Sequence, residues 1–166
     1  FPYDPARPEK RFDIVSAALD LVREELPETE IVTVHGSPQD RVAAYMNACD
    51  AMILTSDTEG SPVAVREALA CGLPVVSVDV GDVAEVLAED RSGGIVERDP
   101  RSVADGLLAV LRSPHRIDGR AAGERFSTGR GAEQLESLYR RICGVSSLPA
   151  GAEPTPTAAD GRDHSP

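Results

Sequence analysis

Glu59 and Glu67 stand eight positions apart in the run Glu59-Gly60-Ser61-Pro62-Val63-Ala64-Val65-Arg66-Glu67, and the residue types between them describe the start of a helix. Gly60 allows backbone to approach a ligand closely. Ser61 is a good N-cap and Pro62 a good first helical residue. The N–H groups of Val63 and Ala64 would then point out of the helix start and carry the positive end of its dipole. Such an end is suited to a phosphate group. At about 1.5 Å per residue, Glu67 lies roughly 7.5 Å further along the axis than Pro62, within reach of hydroxyls on a ligand whose phosphates sit at the helix start. Taken alone, an acid near a helix start also stabilises the dipole, by about 0.3–1 kcal/mol, whatever the protein does.

These residues need elements to hold them. Residues 1–9 contain Pro2, Pro5 and Pro8 and read as loop. From Lys10 to Leu26 apolar residues recur at three- and four-residue steps, which predicts an amphipathic helix closed by Pro27. Ile31 to Val34 is a β-branched run that predicts a buried strand. A helix is expected over Asp40–Cys49, a strand over Ala51–Thr55, and the helix of the Glu pair over Ser61–Cys71, stopped by Gly72. Pro74–Val78 predicts another strand, Asp82–Leu87 a short helix, Gly94–Val96 a weak strand and Arg101–Arg112 a further helix. A last helix, with Leu135, Leu138, Tyr139 and Ile142 as its stripe, is expected over Phe126–Cys143. Continuous apolar strands alternating with amphipathic helices predict an α/β, doubly wound parallel sheet covered on both faces. Ligands bind such sheets beyond the carboxyl ends of the strands, so the segments after Val34, Thr55 and Val78 are where chemistry is expected.

The Glu pair bracketing Gly-Ser-Pro, followed by Glu67-Ala68-Leu69-Ala70-Cys71-Gly72-Leu73-Pro74-Val75-Val76, resembles the E-x7-E motif of retaining glycosyltransferases of the GT-B fold, family four. Asp50-Ala51-Met52-Ile53-Leu54-Thr55-Ser56 is similar to the strand that leads into that motif. Val80-Gly81-Asp82-Val83-Ala84-Glu85 resembles the family's Gly-Gly-x-x-Glu turn, with Val80 in place of the first Gly. Arg7-Pro8-Glu9-Lys10-Arg11-Phe12-Asp13 is similar to the loop whose Lys grips the donor's diphosphate. The resemblance runs from about Phe1 to Cys143.

The resemblance implies a Rossmann-like domain over 1–143 that binds a nucleotide-diphosphate sugar, with 144–166 as a disordered tail. Glu59 would contact the transferred sugar and stabilise the cation that forms there, and Lys10 would neutralise the leaving diphosphate. Gly60, Ser61, Pro62 and Val63 would present backbone to the sugar and phosphates, and Glu67 would hold the ribose hydroxyls. The family pattern has an Arg five residues before the Lys. Pro5 occupies that place here, and Arg7 is the candidate to substitute. Arg11 stands where Gly usually follows the Lys. No bound metal and no cofactor beyond the donor substrate is implied. The strand leading into the phosphate loop would end about where Phe1 stands, and an acceptor-binding domain would precede it. The 166 residues contain neither.

Composition narrows the alternatives. Lys and Arg total 17 against 28 Asp and Glu, a formal charge of −11, which disfavours non-specific binding to nucleic acid or anionic membrane. Aromatic residues are 4% and Trp is absent, leaving little to stack on bases. No apolar run approaches the roughly 20 residues a spanning helix needs. Cys49, Cys71 and Cys143 lie far apart without metal-ligand spacing, in keeping with a reducing compartment. A cytoplasmic location, free or at the cytoplasmic face of the membrane, is expected. His35 reads as a loop histidine, and Cys71 as a packed thiol. Two functional readings stand: the donor-binding half of a retaining glycosyltransferase, or a donor-binding module that needs a partner domain and has no activity of its own. A signalling receiver domain is disfavoured, because it would want paired acids after its first strand and a Lys after its last.

Overall fold

The computed structural model describes residues 1–88, 93–112 and 114–144. A three-residue 3-10 turn, Pro8–Lys10, opens the chain's regular structure and is followed by α1 (Phe12–Glu25) and α2 (Gln39–Ala48). Then come β1 (Met52–Leu54), α3 (Val63–Ala70), β2 (Val75–Val78), α4 (Val83–Ala88), β3 (Gly93–Val96), α5 (Pro100–Leu111), α6 (Gly119–Arg125) and α7 (Thr128–Cys143). The strands form one parallel sheet in the order β1-β2-β3, with Met52 beside Val75 and Val75 beside Gly93. Phe1–Ser127 is one compact unit. The second unit contributes α7, whose Leu135, Leu138, Tyr139 and Ile142 are all exposed. Residues 145–166, where a disordered tail is expected, lie outside the described residues.

Strand alternation sends successive side chains to opposite faces, and here it feeds two cores. Met52, Leu54 and Val75 point to one, where they meet Met46 of α2, Val65, Ala68 and Leu69 of α3, and Val83 and Leu87 of α4, with Val78 joining the same cluster from the end of β2. Ile53 and Val76 point to the other, built from Ile14, Val15, Ala18 and Val22 of α1 and Val103, Ala104 and Leu107 of α5. Helices therefore cover both faces, as a doubly wound sheet requires. Local chemistry sets the ends. Asp99 caps α5, its carboxylate accepting from the N–H groups of Arg101 and Ser102 at 3.0 Å each, with Pro100 in the first turn. Gly72, with φ of +70°, ends α3, and the Leu73 N–H bonds back to Ala68 O at 2.8 Å. That reversal aims the chain straight into β2.

Several sequence expectations are corrected. Ile31–Val34 is not a regular strand; the Phe1 nitrogen donates to Val32 O at 2.8 Å and the Val34 N–H donates to Phe1 O at 3.2 Å. Helix α3 begins at Val63 rather than Ser61, with Pro62 in the cap position and no side-chain cap. The expected helix over Phe126–Cys143 starts instead at Thr128, and a separate short helix, α6, precedes it. The loop before α1 is partly 3-10, and α1 starts two residues later than the apolar spacing predicts. The cause is Arg11, which takes a left-handed conformation at φ of +53° between turn and helix.

Candidate functional site

Lys10 and Glu59 are brought together at the carboxyl edge of the sheet from positions 49 residues apart. The Lys10 ammonium donates to Glu59 Oε1 at 2.7 Å, and the two side chains are only 7% and 12% exposed. The backbone explains how Lys10 reaches this place. Thr55 Oγ1, just past β1, donates to Lys10 O at 3.0 Å and to Arg11 O at 3.2 Å. The Asp57 N–H donates to Glu9 O at 2.8 Å. The 3-10 turn is thereby fastened to the end of β1, and Lys10 extends under Glu59.

Glu59 has further donors. Ser56 Oγ donates to its Oε1 at 2.7 Å, and the Tyr3 hydroxyl also hydrogen-bonds the carboxylate. The Tyr3 ring lies 3.9 Å from the Lys10 ammonium, centroid to nitrogen, a cation–π contact. Burial pushes the Glu59 carboxyl up, but the hydrogen bonds from Lys10, Ser56 and Tyr3 outweigh it and hold its pKa below the ordinary value. Burial, and then the charge of Glu59, push the Tyr3 phenol well above its usual range. The cluster is therefore an ionised acid, an ammonium and a neutral phenol, largely shielded from water.

The loop between Glu59 and α3 is braced from behind. At Gly81 φ is +59°, and a Cβ there would lie 2.4 Å from Gly60 O. Only glycine lets the turn after β2 come this close, and the Asp82 N–H then donates to Gly60 O at 3.2 Å. Ser61 Oγ donates to Asp82 Oδ2 at 2.9 Å, and Arg66 Nη2 reaches the same oxygen at 2.6 Å while its Nη1 contacts Ser61 Oγ. The serine hydroxyl is thus held by an acid 21 residues on instead of capping its own helix. Val63 is 63% exposed at the first helical position, so the opening turn of α3, whose first N–H groups have no intrahelical partner, faces solvent beside Glu59 and Gly60. One turn further, Glu67 is half-buried and accepts from Gln39 Nε2 of α2 at 2.7 Å.

Arg7 is not drawn into the cluster. It is exposed and paired with Glu9 in its own loop. His35 is exposed, 3.6 Å from Asp4, and Cys71 is half-buried at the end of α3. Two further arginines also stand at this edge, Arg11 and Arg98, of which only Arg98 is not singled out by the sequence. Arg98, two residues past β3, donates to Ser56 O at 3.0 Å and lies 3.8 Å from Asp57. Arg11 pairs with Asp13 at 3.0 Å and Asp57 at 3.2 Å. The signal for Arg98 was its place just after a parallel strand, where such sheets carry ligands. Among the described residues no group of three or more His, Cys, Asp or Glu is placed to hold a metal ion, and no helix is long and apolar enough to cross a membrane.

Comparison with known proteins shows the family and the fold. The family model described as glycosyl transferases group 1 matches residues 6–113. A D-inositol 3-phosphate glycosyltransferase of Frankia alni is 37% identical over 114 residues, 68% of this chain and 25% of that protein. An N-acetyl-alpha-D-glucosaminyl L-malate synthase of Bacillus anthracis is 33% identical over 107 residues, 63% of this chain and 28% of that protein. Among solved structures, a sucrose-phosphate synthase from Thermosynechococcus elongatus superposes with a TM-score of 0.60 at 25% identity, covering 87% of this chain and 38% of that one. The pneumococcal O-GlcNAc transferase GtfA, at 17% identity, shares the fold with a TM-score of 0.61 over 82% of this chain and 34% of its own. The chain spans about a quarter of the length of the curated relatives it matches.

Proposed function

The chain belongs to the glycosyl transferases group 1 family, and on that premise we propose that it forms the donor-binding wall of an enzyme that transfers a sugar from a nucleotide-diphosphate sugar to an acceptor hydroxyl with retained anomeric configuration. The observation that carries this reading is the shielded Lys10–Glu59 pair beside the solvent-facing start of α3.

Each part of the site has a task in that reaction. The donor's diphosphate lies against the first turn of α3, where the helix dipole and the N–H groups of Val63 and Ala64 favour negative charge. The backbone from Gly60 to Val63 lines the sugar and phosphates. Lys10 neutralises the diphosphate as its bond to the sugar breaks, the kind of fixed electrostatic assistance that dominates many enzymic accelerations. Glu59 stays ionised, because its donors hold its pKa down, and so stabilises the positive charge that grows on the sugar. Glu67 turns from Gln39 to the ribose hydroxyls. Arg7, exposed and paired with Glu9, would exchange that partner for the outer phosphate. The second reading is a donor-binding module that has no activity of its own and needs a partner domain.

Titration calorimetry of the 166-residue chain with uridine, guanosine and adenosine diphosphates tests the site. Binding of at least one, lost in Lys10→Ala and weakened about tenfold or more in Glu67→Ala, is expected from charged hydrogen bonds worth about 1.5–3 kcal/mol. Equal affinity in wild type and both variants would refute the assignment. The chain alone should turn over no nucleotide sugar, since positioning donor against acceptor needs both walls of a cleft. Turnover by the chain alone would favour a self-sufficient enzyme over a module.

A further inference from the structure

Tyr3 touches both members of the Lys10–Glu59 pair, and the reaction described above gives it no task. Its ring face lies 3.9 Å from the Lys10 ammonium, and its hydroxyl hydrogen-bonds the Glu59 carboxylate. Two turns in succession bring these groups together. The Asp4 carboxylate accepts from the Ala6 N–H at 2.9 Å, and the Arg7 N–H donates to Asp4 O at 3.2 Å, closing a turn directly after Tyr3. The 3-10 turn Pro8–Lys10 then folds the chain back, so that Lys10 returns to the Tyr3 ring. The ring meets Phe1 edge to face, with centroids 6.1 Å apart, and packs against both hydrophobic clusters of the sheet. A ring seated in this way carries its hydroxyl to a fixed place.

The pair itself creates a need for that hydroxyl. Lys10 and Glu59 are one cation and one acid, both shielded from water. In the proposed reaction Lys10 also serves the diphosphate, and charge that it lends to phosphate is withdrawn from Glu59. A shielded carboxylate that loses its cation is left with a desolvation cost and no compensation. Ser56 Oγ supplies one hydroxyl, at 2.7 Å. Tyr3 supplies the other. Burial and the charge of Glu59 hold the phenol in its protonated, donating form.

We propose that Tyr3 is a positioning residue for Glu59, its hydroxyl holding the carboxylate in place while Lys10 turns its charge to the donor's diphosphate. The inference rests on the nucleotide reading and adds a residue to it. Tyr3 acts through the pair and does not touch the donor. Its two contacts are separable, because Tyr3→Phe keeps the ring against Lys10 and removes only the hydroxyl that reaches Glu59.

Calorimetry of the full chain with uridine, guanosine and adenosine diphosphates tests this in the native, Tyr3→Phe, Glu59→Gln and doubly substituted proteins. Tyr3→Phe should weaken binding of whichever diphosphate the native chain takes by about threefold or more, a part of what a hydrogen bond to a charged group contributes. In the Glu59→Gln background no charge is stranded, so the same substitution should change affinity by less than about twofold, and the cycle isolates the coupling of the two residues. In the free chain the Glu59 carboxyl carbon, followed by NMR, should titrate at higher pH in Tyr3→Phe than in the native protein, since a donor to the charged form is gone. An unmoved titration, or equal affinity of native and Tyr3→Phe chains, would overturn the inference alone. A loss of the same size in both backgrounds would also overturn it, by placing the hydroxyl on the ligand. Failure of the native chain to bind any of the three diphosphates would refute the nucleotide reading, and this inference with it.

Discussion

Replacing Lys10 by Met keeps most of the side chain's volume but removes the cation that faces Glu59. Breaking a buried ion pair from one side costs about 3–5 kcal/mol, because the remaining charge is left without its partner. Here Ser56 and Tyr3 still donate to the carboxylate and its side chain keeps 12% of its exposure, so a loss of about 3 kcal/mol at pH 7 is expected, toward the lower end. The pH dependence carries the sharper signature. In the native chain the Glu59 pKa is depressed, so its contribution to stability is present above the unfolded carboxyl value and is lost as pH falls through the lower, folded one. Without Lys10 the largest remaining influence is burial, which raises the pKa. The variant's folded pKa therefore lies above the native one, and it keeps less of the stability gained above the unfolded carboxyl value. The stability gap between native and Lys10→Met chains should therefore narrow from pH 7 toward pH 4. Urea unfolding at the two pH values measures it, and Lys10→Met combined with Glu59→Gln should recover much of the loss by removing the stranded charge. An unchanged urea midpoint at pH 7, or a double variant no more stable than the single, would refute this account of the pair.

Gly81→Ala would place a methyl 2.4 Å from Gly60 O at a left-handed backbone position. A loss of more than about 1 kcal/mol, with weaker nucleotide binding, is expected from thermal melts and calorimetry. In a longer enzyme that contains this chain, Glu59→Gln should lower kcat while nucleotide affinity stays nearly constant, because the residue acts on charge that develops only in the transition state. A parallel fall in affinity would make Glu59 a binding residue. Gln39→Ala should leave nucleotide affinity unchanged or slightly raised, since it frees Glu67 from a competing hydrogen bond; a clear loss would place Gln39 itself on the ligand.

The strands that bury both faces were easy to read, because Met52–Leu54 is a continuous apolar run and Val75–Val78 is interrupted only by Ser77, each ended by a polar residue. Their assembly into a parallel sheet followed from the alternation with helices. Residues 31–34 carry the same β-branched signal, but a regular strand also needs a continuous partner, and composition does not reveal one. Ser61 shows the same limit on a smaller scale. Its type is right for a cap, yet Asp82 and Arg66 hold its hydroxyl, and neither contact has a local signature. The Glu59–Glu67 spacing put both acids on one segment. The pairing of Glu59 with Lys10 spans 49 residues and came only through resemblance to a family. Helix α6 went unnoticed because Gly119–Arg125 is short and has no apolar stripe. Arg116, which donates to the carbonyls of Met46, Asn47 and Cys49 at the end of α2, looked like any loop cation.

The contact between Gly60 and Gly81 bears on how a ligand's arrival is felt. The loop that carries Glu59 is fixed by the turn after β2, and by Asp82 through two side chains, before any donor is present. Its freedom is given up when the chain folds, so little is left to lose on association. For the proposed donor, this loop would already be set, and ordering it should add little to the entropy of binding.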